Sequence, residues 1–342
     1  MPIDWQPLIE IIDRHDRFVI SSHVRPDADA IGSEIGLAQL LEHRGKQVRI
    51  INPSGTPAHL HFLDPQRQVQ VIGRPTSVES VRDTDVHIIV DTSAWQQLQD
   101  VGHALRGSKA VKVVIDHHLS SDDLEALILR DVTASATGVL ITELAETLND
   151  SFTAMQAGAL YAAIATDTGW FRFPNTDSRT LQTAARLVEQ GVQPHLIYRE
   201  LYERSSLARL KLQAVALSRV SLACAGRLGH TLVTRQDFID TGAQPSDTED
   251  VVNSCLTIEG VEAAFILVEQ PDGRAKGSLR SRSQLSVAAI AEQFGGGGHR
   301  QAAGVMLPGP ILEAQHKLLA SFAEAMGCAA PDRATQPEPL PN

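Results

Sequence analysis

This sequence has little cysteine, no long apolar run and a shortage of positive charge, and each scarcity argues against a class of protein. Three cysteines, Cys224, Cys255 and Cys328, lie far apart among 342 residues with no CxxC spacing. That pattern argues against a disulfide framework or a cysteine zinc cage and reads as thiols in a reducing compartment. No stretch approaches the ~20 apolar residues that span a bilayer. Residues 1–17 alternate apolar with charged side chains, where a leader would carry an apolar centre. The expected setting is the cytoplasm, with no membrane partner. Lys and Arg number 30 against 41 Asp and Glu, a net charge of −11, the wrong sign for gripping long nucleic acid through many phosphates. A nucleic-acid substrate would have to be short or locally held. The same acidic excess suits an enzyme that commits carboxylates to divalent cations.

With 43% hydrophobic and 21% charged residues, a chain of this length builds about two domains. Short runs rich in Val and Ile at 18–22, 48–52, 86–91 and 111–116 alternate with helical patterns, such as Ile31, Ile35, Ala38 and Leu41 ahead of Gly45. Continuous apolar runs separated by helices predict an α/β fold around a parallel sheet buried on both faces. Helices are expected over 134–148, 153–166 and 177–190, the last closed by Gly191 and Pro194. From about residue 227 the pattern becomes that of a smaller α+β domain, with a helix at 250–256 and a hairpin turning through Pro271-Asp272-Gly273. The expected division is 1–194 for the first domain, 195–222 for a helical connector and 223–330 for the second domain. Residues 331–342, with four prolines, read as a disordered tail.

Acidic and imidazole side chains gather where the apolar runs stop. The first run leads into His23-x3-Asp27-x-Asp29, one imidazole and two carboxylates in one loop, whereas capping the next helix needs a single Asp. Asp91 ends the third run, Asp116-His117-His118 the fourth, and Asp167 closes an Ala-rich helix ahead of Gly169. Alone, Asp91 reads as a turn residue and Asp167 as a helix-end polar group. Three consecutive ionisable residues at a strand end are harder to assign to packing, because charges are rarely buried unless paired or metal-bound. In open α/β sheets ligands bind beyond the carboxyl ends of the strands, so these groups can converge there. His23, Asp27, Asp29, Asp91, His117 and Asp167 then supply donors for two divalent ions sharing one carboxylate, with acidified water to attack phosphorus. Mixed imidazole and carboxylate donors suit Mn, and Mg is the alternative.

In order and spacing these motifs resemble the DHH phosphoesterase superfamily, whose name-giving triplet is Asp116-His117-His118 here. The likeness continues through Gly277-Ser278-Leu279-Arg280-Ser281 and through Phe294 to Gly304, which resemble its DHHA1 substrate domain. The resemblance implies a DHH domain and a DHHA1 domain with the active site in the cleft between them. It implies that His23, Asp27 and Asp91 hold one metal, and Asp29, Asp91, His117 and Asp167 the other. Asp116 would orient a neighbouring His, and His118 would touch the scissile phosphate. Arg280, Gly296, Gly297, Gly298 and His299 would bind the substrate. Independently of any family, Arg offers a bidentate fork to phosphate, and consecutive glycines let backbone N–H groups approach one. The two-domain layout is similar to that of the NrnA-type oligoribonucleases, which implies short oligonucleotides or adenosine 3′,5′-bisphosphate as substrate and leaves a homodimer open.

Three other readings compete. A manganese pyrophosphatase shares the first domain, but the Gly run ending in His299 argues against it. A nucleotide-binding regulator without catalysis is disfavoured by retention of all six ligand candidates, and cyclic or linear dinucleotides remain alternative substrates. Trp95 and Trp170 follow expected ligands and either stack on a base or pack. His87 sits in a strand near the site, and Arg25 lies inside the first metal loop within reach of phosphate.

Overall fold

In the computed structural model, which describes residues 3–73, 76–119, 121–248 and 250–329, the chain divides into two units, Met1–Arg204 and Ser205–Asn342. The tail expected over 331–342 lies outside the described residues.

The first unit is built on β1 (Arg17–Ser21), β2 (Gln47–Asn52), β3 (Val69–Val71), β4 (Val86–Val90), β5 (Val111–Asp116) and β6 (Leu127–Arg130). Their order is β3-β2-β1-β4-β5-β6, and every pairing is parallel. Alternate side chains go to opposite faces. Phe18, Ile20, Ile88, Val90, Val113 and Ile115 join one core, while Val19, Ile89 and Val114 join another. Both faces are apolar, which is why these strands read as unbroken hydrophobic runs.

Eight helices accompany the sheet among the described residues: α1 (Gln6–Arg14), α2 (Ala28–His43), α3 (Val78–Arg82), α4 (Trp95–Arg106), α5 (Thr137–Thr147), α6 (Ala154–Asp167), α7 (Ser178–Glu189) and α8 (Pro194–Tyr202). Helices α2, α5 and α6 supply Ile31, Leu140 and Leu160 to the first core; α3 and α4 supply Val81, Leu98 and Leu105 to the second. Each such fully buried side chain contributes roughly 1.5–3 kcal/mol. The sheet order reverses at β1, which pairs with β2 on one side and β4 on the other. That is a topological switch point, the place beyond whose strand ends open α/β sheets bind ligands.

A glycine contact sets how close α2 comes to α6. A Cβ on Gly32 would overlap the Ala159 carbonyl oxygen and stand 3.0 Å from Ala163 Cβ, and one on Gly138 of α5 would stand 2.9 Å from the same atom. One turn before Gly32 lies Asp29, and one turn after Ala163 lies Asp167, so the close packing brings these carboxylates into one region.

The second unit contains α9 (Leu207–Ser218), β7 (Ser221–Ala223), β8 (Leu228–Val233), α10 (Arg235–Thr241), α11 (Val251–Leu256), β9 (Ala263–Glu269), β10 (Ala275–Ser281), α12 (Val287–Glu292), β11 (Gly297–His299), β12 (Ala302–Leu307) and α13 (Ile311–Met326). Its sheet, β11-β12-β10-β9-β8-β7, is mixed, with β8 and β9 parallel and the other neighbours antiparallel. The connector expected over 195–222 is two helices, α8 and α9, because Ser206 caps a new one by accepting from Arg209 N at 3.0 Å. The cysteines also differ from expectation. Cys224 and Cys328 form a disulfide across 104 residues, with Cα atoms 5.3 Å apart, leaving Cys255 as a buried thiol. The end of β7 and the end of α13 meet in space, which linear spacing does not reveal.

Gly32→Ala is expected to force α2 away from a backbone carbonyl and to lower stability by about 1–3 kcal/mol, read from urea unfolding. A neutral or stabilising result would show that the helices have room to part.

Candidate metal centre

The ends of three adjacent central strands and two helices deliver the polar groups. β1 runs into Ser22 and His23, β4 into Asp91, and β5 ends in Asp116 ahead of His117 and His118. Asp27 caps α2, its Oδ1 accepting from Asp29 N at 3.0 Å and Ala30 N at 3.1 Å. The cap and the cluster therefore share one residue. Asp91 itself has a φ of 60°, unusual for a residue with a side chain and a sign that the surroundings hold it there.

These groups form two clusters joined at Asp91. His23 Nε2 lies 3.4 Å from Asp91 Oδ2 and 3.8 Å from Asp27 Oδ1. His117 Nε2 lies 3.5 Å from Asp91 Oδ1, 3.7 Å from Asp29 Oδ2 and 3.3 Å from Asp167 Oδ2. One Asp91 oxygen faces each imidazole. His117 pairs its Nδ1 with the Ala134 carbonyl at 3.2 Å, which fixes that nitrogen as the donor. Its buried Nε2 has no hydrogen-bond partner among the described residues. A lone pair ringed by three carboxylates is repulsive unless a cation lies among them, so the donor set fits a divalent metal. Asp91, His117 and His118 also come close enough to share an ion.

The electrostatics carry the same message. Burial, then repulsion by Asp27, pushes Asp29 up despite its hydrogen bonds; burial and Asp29 push Asp91 well up. Burial, then Asp29 and Asp27, raise Asp167 to about 8. Burial works against charge on His23, but Asp27 and Asp91 outweigh it and hold its pKa up at about 11. A proton there does part of the work of a cation.

Asp116 lies outside the two clusters. Fully buried, it accepts from Ser93 Oγ, from the backbone N of His117 and His118, and from His118 Nδ1 at 2.8 Å. That bond raises the pKa of His118, while burial of Asp116 is more than offset by the donors around it. His118 is held by one nitrogen and is half exposed, with 51% side-chain exposure.

Sequence reasoning missed the residues that hold the carboxylates. Asp29 accepts from Thr137 N at 2.7 Å and Gly138 N at 2.8 Å, so a side chain of α2 occupies the N-terminus of α5, whose own Ala136 offers no cap. Thr137 Oγ1 donates to Asp91 Oδ1 at 3.0 Å. His87 stays outside the site: it meets Ser21 Oγ at 2.9 Å, and burial lowers its pKa to about 3. Trp95 and Trp170 are packed. Trp95 lies under the Arg106 guanidinium at 4.5 Å, and Trp170 contacts Tyr161, Phe171, Tyr198 and Tyr202.

In the second unit, Arg280 of β10 and His299 of β11 both pair opposite Ala302 of β12, which puts them on one face of that sheet. The glycine run is strand as well as loop. A Cβ on Gly296 would overlap the Gly304 carbonyl oxygen, and one on Gly298, at φ 146°, would stand 2.7 Å from Ala303 Cα. Gly297 begins β11 and meets open space. Close approach of β12 therefore accounts for two of the three glycines expected to face a phosphate.

Residues 17–164 match the DHH family, N-terminal domain, and residues 230–327 match the DHHA1 domain. The bifunctional oligoribonuclease and PAP phosphatase NrnA of Thermus thermophilus is 32% identical over 86% of this chain and 85% of its own. The cyclic-di-AMP phosphodiesterase PdeA of Listeria monocytogenes is 27% identical over 93% of this chain but 49% of its own. An exopolyphosphatase-related protein from Bacteroides fragilis has a similar structure, with a TM-score of 0.84 at 26% identity over 94% of both chains.

Beneath the metal loop lies a buried polar layer. Ser22 N donates to Asn52 Oδ1 at 2.9 Å, and Asn52 Nδ2 donates to Glu34 Oε2 at 3.0 Å. Burial pushes Glu34 up to about 8, against the pull of Ser22 and Asn52. Unfolded, Glu34 ionises in the ordinary carboxylate range, so between about pH 5 and about pH 8 the native state holds the extra proton. Stability contributed by this group falls as pH rises, by at most about 1.4 kcal/mol per pH unit. Glu34→Gln removes the titration, and its stability is expected to gain on the wild type across that window in urea melts. Parallel pH profiles for the two proteins would refute the assignment.

Proposed function

The chain belongs to the DHH family, with a DHHA1 domain after it, and on that premise we propose a two-metal phosphoesterase that cleaves short oligoribonucleotides to mononucleotides and takes the 3′-phosphate from adenosine 3′,5′-bisphosphate. The observation that carries the reading is Asp91, whose two oxygens face separate clusters, 3.4 Å from His23 and 3.5 Å from His117.

Asp91 would bridge two divalent ions, one shared with His23 and Asp27, the other with Asp29, His117 and Asp167. Imidazole donors in both clusters favour Mn over Mg, which prefers oxygen ligands and retained water. Bound there, the ions supply Lewis-acid polarisation of phosphoryl oxygens and acidify water. The chain's own groups do the rest. Thr137 and Gly138 fix Asp29, and Thr137 fixes Asp91, so the donors are set before substrate arrives. Asp116 holds Nδ1 of His118, whose other nitrogen is kept for the phosphate or the leaving oxygen. Arg280 and His299, on one face of the second sheet, would bind a phosphate of the substrate.

Cyclic-di-AMP cleavage is the weaker reading, because the relative of that name is twice the length this chain matches. The NrnA relative is covered over 85% of its length.

With Mn, the purified chain is expected to shorten di- to pentanucleotides and to release phosphate from adenosine 3′,5′-bisphosphate. Asp91→Ala should lower kcat on both by about a thousandfold or more, the loss of several kcal/mol. Calorimetry should show Asp91→Ala weakening both metal sites and His23→Ala only one. Unchanged turnover or unchanged binding in Asp91→Ala would sink the bridging role.

A further inference from the structure

The metal loop is pinned on both sides of Arg25. Val24 N donates to the Gln97 carbonyl at 2.8 Å, Arg25 N donates to Ser54 Oγ at 2.6 Å, and Pro26 is buried. Between these anchors Arg25 has a φ of 54°, in the left-handed region. That is unfavourable twice over. A residue with a Cβ avoids positive φ, and a residue before proline is normally held to extended backbone. Such a conformation persists only where the surroundings over-determine it, and it clusters at sites that bind ligands.

The side chain is exposed and makes no hydrogen bond or ion pair among the described residues. Other arginines of this unit are engaged: Arg17 by Asp83 and Asp85, Arg179 by Asp131 and Glu143, Arg186 by Glu146. Arg25 stands two residues from His23 and two from Asp27, which lie 3.8 Å apart across the first cluster. Chain connectivity keeps it at the rim of that cluster. It is thus a free cation beside a site rich in carboxylates, on a chain with a net charge of −11.

We infer that Arg25 binds a phosphate oxygen of the substrate at the rim of the cluster formed by His23, Asp27 and Asp91, an assignment that rests on the phosphoesterase reading. The planar guanidinium presents paired N–H donors that match phosphate oxygens. The carboxylates around it would otherwise repel an anionic substrate until metal neutralised them. The strained backbone keeps the residue on the loop that carries His23 and Asp27, so the charge is positioned together with the ligands.

Arg25→Gly is the informative variant, because glycine adopts the left-handed backbone freely and only the side chain is lost. Manganese binding by calorimetry should match the wild type. In the Mn-loaded full chain, KM for short RNA and for adenosine 3′,5′-bisphosphate is expected to rise about tenfold or more, with Arg25→Lys intermediate. The p-nitrophenyl ester of thymidine 5′-monophosphate has a single phosphodiester. An equal loss there assigns Arg25 to the scissile phosphate, and a loss confined to substrates with a second phosphate assigns it to the neighbouring one. An equilibrium titration of AMP reads the same contact without turnover. If the wild type hydrolysed none of these substrates, the phosphoesterase reading would fall, and weaker AMP binding by Arg25→Gly would still support the contact. Unchanged KM and AMP affinity would overturn the inference. Lost manganese binding would overturn it too, by assigning Arg25 to the loop's shape.

Discussion

Asp29, Asp91 and Asp167 crowd around one buried imidazole nitrogen, and the rest of the first unit depends on how that crowding is relieved. Carboxylates at such separations, shielded from water, raise one another's pKa until some are protonated. Divalent cations among them would resolve the conflict with the carboxylates ionised. The parallel sheet, the close helix contact and the buried polar layer can all be understood as ways of holding mutually repelling groups at fixed positions. Hydrophobic burial on both sheet faces supplies the free energy that offsets the repulsion.

Much of this was legible in the sequence, for a physical reason. A strand buried on both faces must be apolar throughout, so a charged residue marks where it ends, and in a parallel sheet those ends share one edge. His23, Asp91 and the Asp116-His117-His118 triplet were found that way. Asp167 was harder, since a helix-end carboxylate looks ordinary until α2 and α6 are seen packed through Gly32. Other features left no local trace. The hydrogen bonds from Thr137 and Gly138 to Asp29 span 108 and 109 residues, and the link from Asn52 to Glu34 joins a strand end to a helix interior. The Cys224–Cys328 pair is invisible for the same reason. The glycine run was visible, yet glycine reports only that something comes close; the register showed that much of that something is β12.

His118 and His117 are adjacent in sequence and chemically alike, but their surroundings assign them different work. His117 turns Nδ1 to the Ala134 carbonyl and leaves Nε2 among carboxylates. His118 turns Nδ1 to the buried Asp116 carboxylate, which favours its charged form. One environment leaves a ring nitrogen facing three carboxylates, and the other favours the charged ring. The distinction lies in which hydrogen-bond acceptor each ring meets.

Asp29 both faces the second cluster and closes the N-terminus of α5. Removing its carboxylate would leave two backbone donors unpaired as well as take a member from the cluster. A descendant of this chain that had stopped doing chemistry would still be selected to keep Asp29, because folding would select for it. Asp167, more exposed and without a backbone donor to its carboxylate among the described residues, would be the first position free to drift. Decay of the centre in related sequences should therefore be sought at the end of α6 before the start of α2.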